Sequence, residues 1–180
     1  MLPHDPAAID PSAREGADRT EGPGVPARRE RAPEAALVAH IVERHHGYAR
    51  RSLPYVVALL AKVAASHGRR NAKLGVLCDV GEELAELLEG HLEVEERELF
   101  PALLAGGAPD SVREGLDRMA RHHRALELLL ARTRWLADDF AVPDWGGRAY
   151  QALMEELEAL EEDVLEHMHL ERIVLGARPS

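Results

Sequence analysis

Histidine is unusually frequent in this chain of 180 residues, which contains ten of them. Imidazole binds transition metals and carries protons near neutral pH, so the positions of these histidines indicate which chemistry they could do. His91 and His167 are each followed four residues later by a glutamate, Glu95 and Glu171. On a helix this spacing places both side chains on one face, about one turn apart. The two pairs therefore predict a metal site with imidazole and carboxylate ligands.

The elements that must position these pairs are predicted to be helices. Only 4% of the residues are aromatic, so leucine, alanine and valine must form the core, and this favours helices over strands. The predicted helices run from about Glu34 to Ser66, Ala72 to Leu104, Ser111 to Phe140 and Gly147 to Leu175. Pro54 can kink or break the first helix, and Pro143 is expected to end the third. Four long helices with short loops predict an all-α, up-down-up-down antiparallel four-helix bundle.

The first 33 residues differ in composition from the rest of the chain. They hold six of the eleven prolines and almost no large apolar side chains. Such a segment cannot bury enough surface to offset the entropy lost on ordering. We therefore expect residues 1–33 to form a disordered tail and residues 34–180 to form the bundle. A docking or tethering role for the tail stays open.

Each predicted helix places one histidine on its apolar stripe. These four histidines are His46, His91, His123 and His167. For each two consecutive helices, the two histidines lie at nearly equal sequence distances from the turn that joins the helices. At a rise of about 1.5 Å per residue, all four histidines are therefore expected at one level of the bundle. His45, His122 and His169 are displaced by one or two residues, and we expect them on the flanks or toward solvent.

A metal ion is the simplest way to satisfy this predicted layer. One core histidine is usually just hydrogen-bonded, but four imidazoles and two carboxylates cannot easily satisfy one another in a dry core. Glu95 and Glu171 would be costly to bury as ions without a positive partner. Without metal, we expect their pKa values to rise.

The number and type of ligands indicate which metal. Six ligands are too many for one tetrahedral zinc ion, and Cys78 is the only cysteine, which excludes thiolate clusters. The set suits two non-haem iron ions, or manganese, with two histidines for each ion and both glutamates bridging. Such a centre has room for an oxo or hydroxo bridge and for a small exogenous ligand.

The order of these residues, H…HxxxE…H…HxxxE, resembles that of hemerythrin-like (HHE cation-binding) domains. RHHGYARRSLPYVVALLAKVAASHG at 44–68, HLEVEERELFP at 91–101 and EHMHLE at 166–171 are similar to the repair-of-iron-centres di-iron proteins. The resemblance covers about residues 37–175. It implies a protein that protects or repairs iron–sulfur clusters under nitrosative and oxidative stress. It also implies four terminal ligands, which are His46, His91, His123 and His167. It implies two bridging ligands, which are Glu95 and Glu171.

The chain departs from the pattern of that family at several positions. The region before the bundle lacks the family's cysteine motif, and the turn AVPDWGGRAY lacks the family's cysteine. Glu127 stands four residues after His123, where the family usually has a small residue. It is either a flank residue or a third carboxylate at the site. His67 matches a family histidine, but it would lie about 30 Å from the layer by helix rise, so we exclude it from the ligands.

Three functions are compatible with these observations: iron–sulfur cluster repair or nitric oxide handling, reversible binding or sensing of O2 or NO without turnover, and iron storage. The expected partners are a small diatomic ligand and, from the resemblance, iron–sulfur client proteins. The net charge of −10 argues against nucleic acids and anionic membranes as partners. No apolar run approaches about 18 residues and no signal peptide is visible, so we expect a cytoplasmic protein.

Deletion of residues 1–33 should leave the metal content and the melting temperature unchanged, because this segment adds little buried apolar surface. Metal analysis and thermal denaturation of the full-length and shortened proteins test this expectation. A large drop in either quantity would mean that part of the segment contributes to the bundle.

Overall fold

The computed structural model describes residues 32–176, except for the side chains at 32, 109 and 174–176. Residues 1–31 of the predicted tail lie outside the described residues. The helical segments are α1 (Ala32–His40), α2 (Gly47–His67), α3 (Lys73–Val94), α4 (Phe100–Ala105), α5 (Pro109–Leu136) and α6 (Arg148–Gly176). Two π-helical segments, π1 (Ile41–His46) and π2 (Glu95–Leu99), join α1 to α2 and α3 to α4 without a break.

These segments form four long helical rods. The first rod is α1–π1–α2, the second is α3–π2–α4, the third is α5 and the fourth is α6. The second rod packs against the first and the third, and the fourth rod packs mainly against the first. The third and fourth rods make few close contacts with each other. No strand occurs between residues 32 and 176, so the predicted all-α four-helix fold is confirmed.

The buried apolar residues form two clusters rather than one continuous core. The large cluster contains residues such as Leu53, Leu88, Leu126 and Leu160. The small cluster consists of Val38, Ile41, Leu99, Phe100, Leu103, Val112 and Met119. Each fully buried leucine side chain stabilises the fold by about 2 kcal/mol. The first three rods contribute buried residues to both clusters, and the fourth adds the partly buried Leu170 to the small one. Each rod carries polar side chains between the two clusters, so the clusters enclose a polar layer.

The first rod continues through Pro54, and the break considered from the sequence is not found. Pro54 lies inside α2, which runs to His67. A proline removes one helical hydrogen bond, but packing of the apolar face holds the rod together. Leu53 and Val56, on either side of the proline, are both buried in the large cluster.

The third helix, predicted to run to about Phe140, ends four residues earlier, at Leu136. Asp138, Asp139 and Phe140 have φ angles of 50°, 54° and 61°. This left-handed conformation cannot continue a right-handed helix. The helix therefore ends in a left-handed turn before the chain reaches Pro143.

One glycine sets how closely the first two rods approach. Gly81 is buried in α3, and a Cβ atom added there would overlap the Leu60 Cδ1 atom of α2. Gly90, on the same helix, is exposed and has no atom near the corresponding position.

Gly81→Ala should therefore lower the free energy of unfolding by up to about 2 kcal/mol, because displacing the packed Leu60 costs about 1–3 kcal/mol and the helix propensity of alanine returns about 1 kcal/mol. Gly90→Ala is the matched control, and it should raise the free energy of unfolding by about 1 kcal/mol because alanine favours the helix. Urea denaturation of both variants measures the difference. Equal changes in the two variants would contradict the packing role of Gly81.

Candidate metal centre

Six buried polar side chains form the layer between the two apolar clusters. All six are at most 6% exposed, and they are His46, His91, Glu95, His123, His167 and Glu171. The structure thus brings together the six side chains that the stripe pattern selected, with contributions from all four rods. Each lies where the apolar face of its rod is interrupted.

The six side chains form two overlapping groups that could each hold a metal ion. The first group is His46, His167, Glu95 and Glu171, and the second is His91, His123, Glu95 and Glu171. Within each group, one ligand atom from every residue lies within 4.8 Å of the others. Both glutamates belong to both groups, which is the arrangement that a pair of bridging carboxylates requires.

Glu95 is the clearest sign that this layer suits a cation. Neither of its carboxylate oxygens has a hydrogen-bond partner among the described residues. Its Oε2 atom lies 3.4 Å from the Nε2 atom of His46, 3.5 Å from that of His91 and 3.6 Å from that of His167. A buried carboxylate without partners is costly, and a cation between these atoms would satisfy them. The donor set therefore fits a metal centre.

Glu171 is compensated by imidazoles. Its Oε2 atom lies 2.8 Å from His123 Nε2, and its Oε1 atom lies 2.5 Å from His167 Nε2. Burial by itself raises the pKa of the Glu171 carboxyl, but contacts with His123, His167 and His91 outweigh burial and hold the pKa well below its usual value. The expectation that this pKa rises without metal is therefore wrong for Glu171, because the imidazoles supply the opposing charge.

His167 carries that charge in the metal-free protein. Burial by itself lowers the pKa of His167, but the carboxylates of Glu171 and Glu95 raise it to about 10. His167 is therefore an imidazolium ion at neutral pH when no metal is bound. A metal ion must displace this proton, so metal binding competes with acid.

Glu96 holds one of the layer's imidazoles from outside. His46 Nδ1 donates a hydrogen bond to Glu96 Oε1 at 2.7 Å, and Arg50 Nη1 donates to the same oxygen at 2.7 Å. Burial raises the pKa of the Glu96 carboxyl, but Arg50 and His46 together lower it below its usual value. With Nδ1 occupied, the Nε2 atom of His46 faces the layer. Sequence reasoning missed this role, because Glu96 directly follows Glu95 and regular helical periodicity would turn it away.

His45 is buried, which corrects the expectation that it lies on a flank or toward solvent. Its Nδ1 atom lies 3.0 Å from Asp163 Oδ1, and its ring stacks on that of His167 with the ring planes 8° apart. The physical reason is the π1 segment, whose wider turns let the buried face step five residues from Ile41 to His46. The wider turn also brings His45 inside.

The other histidines in the described residues lie outside the layer. His169 is exposed and His122 is half-buried, as expected for flank positions. The His122 ring lies 5.8 Å from that of His91, and burial lowers the pKa of His122. His67 packs against Trp145, which itself packs against the large cluster and not against the layer. The exclusion of His67 from the candidate ligands therefore agrees with the structure.

Glu127 does not point into the layer. Its side chain is 46% exposed, and Arg172 Nη1 donates a hydrogen bond to Glu127 Oε1 at 3.2 Å. Of the two interpretations, the flank residue agrees with this position and the third carboxylate does not.

A sequence profile of the hemerythrin HHE cation binding domain matches residues 37–177. The chain belongs to this family. It is 30% identical over 151 residues to the iron-sulfur cluster repair protein DnrN of Neisseria gonorrhoeae, a match that covers 83% of this chain and 93% of that protein. It is 32% identical over 148 residues to the iron-sulfur cluster repair protein YtfE of Edwardsiella ictaluri.

That second match covers 82% of this chain and 66% of the YtfE protein. The YtfE protein of Yersinia pseudotuberculosis is 27% identical over 147 residues, with the same 66% share of its length covered. The resemblance stated from the sequence motifs is thus confirmed at the level of the family. Between residues 32 and 176, no helix is both long enough and apolar enough to cross a membrane.

The metal-free protein should be most stable between about pH 4.5 and 6.5. The pKa of His167 is raised in the folded state, so its contribution is complete below about 6.5 and is lost as the pH rises through about 10. The pKa of Glu171 is lowered, so its contribution is complete above about 4.5 and is lost on acidification. Urea denaturation of the metal-free protein at a series of pH values measures this profile.

The control for the alkaline limb is His167→Gln, which should remove most of the loss of stability between pH 6.5 and 10. A parent protein whose free energy of unfolding stays constant over that range would contradict the assignment of charge to His167.

Proposed function

We propose that this protein holds two non-haem iron ions in the polar layer, with manganese as the alternative metal. Glu95 and Glu171 bridge the two ions. Two histidines complete each position: His46 and His167 at one, and His91 and His123 at the other. The observation that carries this proposal is the pair of overlapping four-residue groups that share both glutamates.

We further propose that the di-iron centre serves to protect or repair iron–sulfur clusters under nitrosative and oxidative stress. The relatives named as iron–sulfur cluster repair proteins support this function, and the match to DnrN extends over 93% of that protein. A di-iron centre supplies redox chemistry and open coordination positions for a small ligand such as O2 or NO. The protein's own part is to hold the imidazoles in place and to exclude bulk water from the layer.

The burial of the layer supports this division of roles. The side chains of His46, His91, Glu95 and Glu171 are at most 1% exposed. A small diatomic molecule fits such a site far better than an organic substrate does. Iron–sulfur proteins would therefore act as clients at the surface, while the small ligand reaches the metal.

The purified full-length protein should contain about two iron ions per chain. His91→Ala and His167→Ala should each lose iron, because each change removes a ligand from a site with few donors to spare. His169→Ala and Glu127→Gly should retain iron and the parent absorption spectrum, since both side chains face outward. Elemental analysis with optical spectroscopy makes the measurement. Equal iron loss in His169→Ala and His167→Ala would overturn the ligand assignment.

The repair function has its own test. A [4Fe–4S] dehydratase inactivated by NO is incubated with the iron-loaded protein, and its activity is followed. Recovery with the parent protein but not with His91→Ala supports repair. Reversible NO binding by the iron-loaded protein without any recovery of the dehydratase would instead favour a binding or sensing function.

A further inference from the structure

The two candidate metal positions have different surroundings, although their ligand sets look alike. We name them the His46 position, which His46 and His167 complete, and the His91 position, which His91 and His123 complete. Both share the two glutamates. The difference lies in what holds the imidazoles on the side away from the layer.

At the His46 position, a carboxylate holds the ligand from outside. Glu96 Oε1 accepts hydrogen bonds from His46 Nδ1 and from Arg50 Nη1, both at 2.7 Å. The His46 ring is fully buried and packs against the Phe100 ring at 6.0 Å between centroids. The orientation of this imidazole is therefore determined by a charged hydrogen bond on one edge and an aromatic ring on one face.

The second ligand of the His46 position also has a supporting group. His45 stacks on the His167 ring at 5.8 Å between centroids, and Asp163 lies 3.0 Å from His45 Nδ1. Two carboxylates, those of Glu96 and Asp163, thus lie just outside this position. Each carboxylate also has a partner outside the layer or beside it, Arg50 for Glu96 and His45 for Asp163, so the two carboxylates act here by holding side chains in place.

The His91 position has no such support. Neither ring nitrogen of His91 has a hydrogen-bond partner among the described residues. The nearest rings are imidazoles, with centroids at 5.0 Å for His123 and 5.8 Å for His122. His122 Nδ1 is also buried, and no side chain or backbone group in the described part of the chain pairs with it. His123 is the most exposed of the six layer residues, at 6%.

We propose, on the basis of the di-iron function above, that Glu96 is a positioning residue that makes the two metal positions unequal. Through its hydrogen bond to His46 Nδ1, Glu96 fixes the ring and increases electron donation from Nε2 to the metal. The His46 position therefore retains its ion, whereas the His91 position exchanges its ion. Arg50 takes part by holding the Glu96 carboxylate in place.

The test follows iron release from the full-length protein loaded anaerobically with two equivalents of Fe(II). An excess of a chromogenic ferrous chelator is added, and the chelate absorbance is recorded over time. The parent protein should release iron in two phases of about one ion each. Glu96→Gln should accelerate the slow phase by about 10–100-fold and leave the fast phase unchanged. Glutamine keeps the shape and a hydrogen-bond acceptor, so the variant removes mainly the charge.

Matched variants separate positioning from general destabilisation. Glu93→Gln is the control, because Glu93 is an exposed carboxylate on the same rod and its salt bridge among the described residues is to Arg97 at 3.4 Å, not to a side chain of the layer. It should leave both phases unchanged. Arg50→Gln should accelerate the slow phase alone, by less than Glu96→Gln does. Cobalt(II) provides a spectroscopic readout, since the d–d bands of the slowly released ion should shift in Glu96→Gln and not in Glu93→Gln.

Two ligand variants assign the phases to positions. His123→Ala should retain one ion that leaves in the slow phase, and adding Glu96→Gln should accelerate its release. His46→Ala should retain one ion that leaves in the fast phase, and adding Glu96→Gln should have no effect. Release of both ions from the parent in a single phase, or equal acceleration of both phases by Glu96→Gln, would overturn the inequality. Failure of the parent to bind two ions would refute the proposed di-iron centre itself.

Discussion

The structure depends on how two carboxylates are neutralised in the middle of a helical bundle. Glu95 and Glu171 are almost completely buried, and a buried carboxylate needs an opposite charge or strong hydrogen bonds. Imidazoles from all four rods converge on them, and His167 carries a proton when no metal is present. The same atoms form the donor set of the proposed two-ion centre. The imidazole and carboxylate side chains of the layer thus compensate one another's charge without metal, and the same side chains would bind the metal ions.

The sequence predicts the layer well because the layer follows regular periodicity. Helical stripes of leucine and valine lead directly to His91, His123 and His167, and the four-residue step then reaches Glu95 and Glu171. The all-α bundle and the loop positions follow from composition and from glycine and proline signals. For these residues, local pattern and tertiary position agree.

The features that escaped prediction are those in which the backbone leaves that periodicity. The burial of His45 and the bond from His46 to Glu96 both arise at π-helical segments, which add a residue to a turn. The early end of α5 arises from a left-handed turn at Asp138, Asp139 and Phe140. Neither a π segment nor a left-handed turn built from residues other than glycine has a clear signal in composition or spacing.

The division of the apolar core into two unequal clusters has a consequence for how the layer becomes accessible. Seven buried side chains make up the small cluster, whereas the large cluster spans most of the bundle. Cooperative units with fewer buried contacts open at lower free energy, so the end of the bundle that holds the small cluster is expected to unfold locally before the rest. Such an opening would uncover the imidazoles while the large cluster stays folded. The two proposed metal ions would together contact all four rods and hold the two units together, and their loss would make local unfolding of the small unit easier.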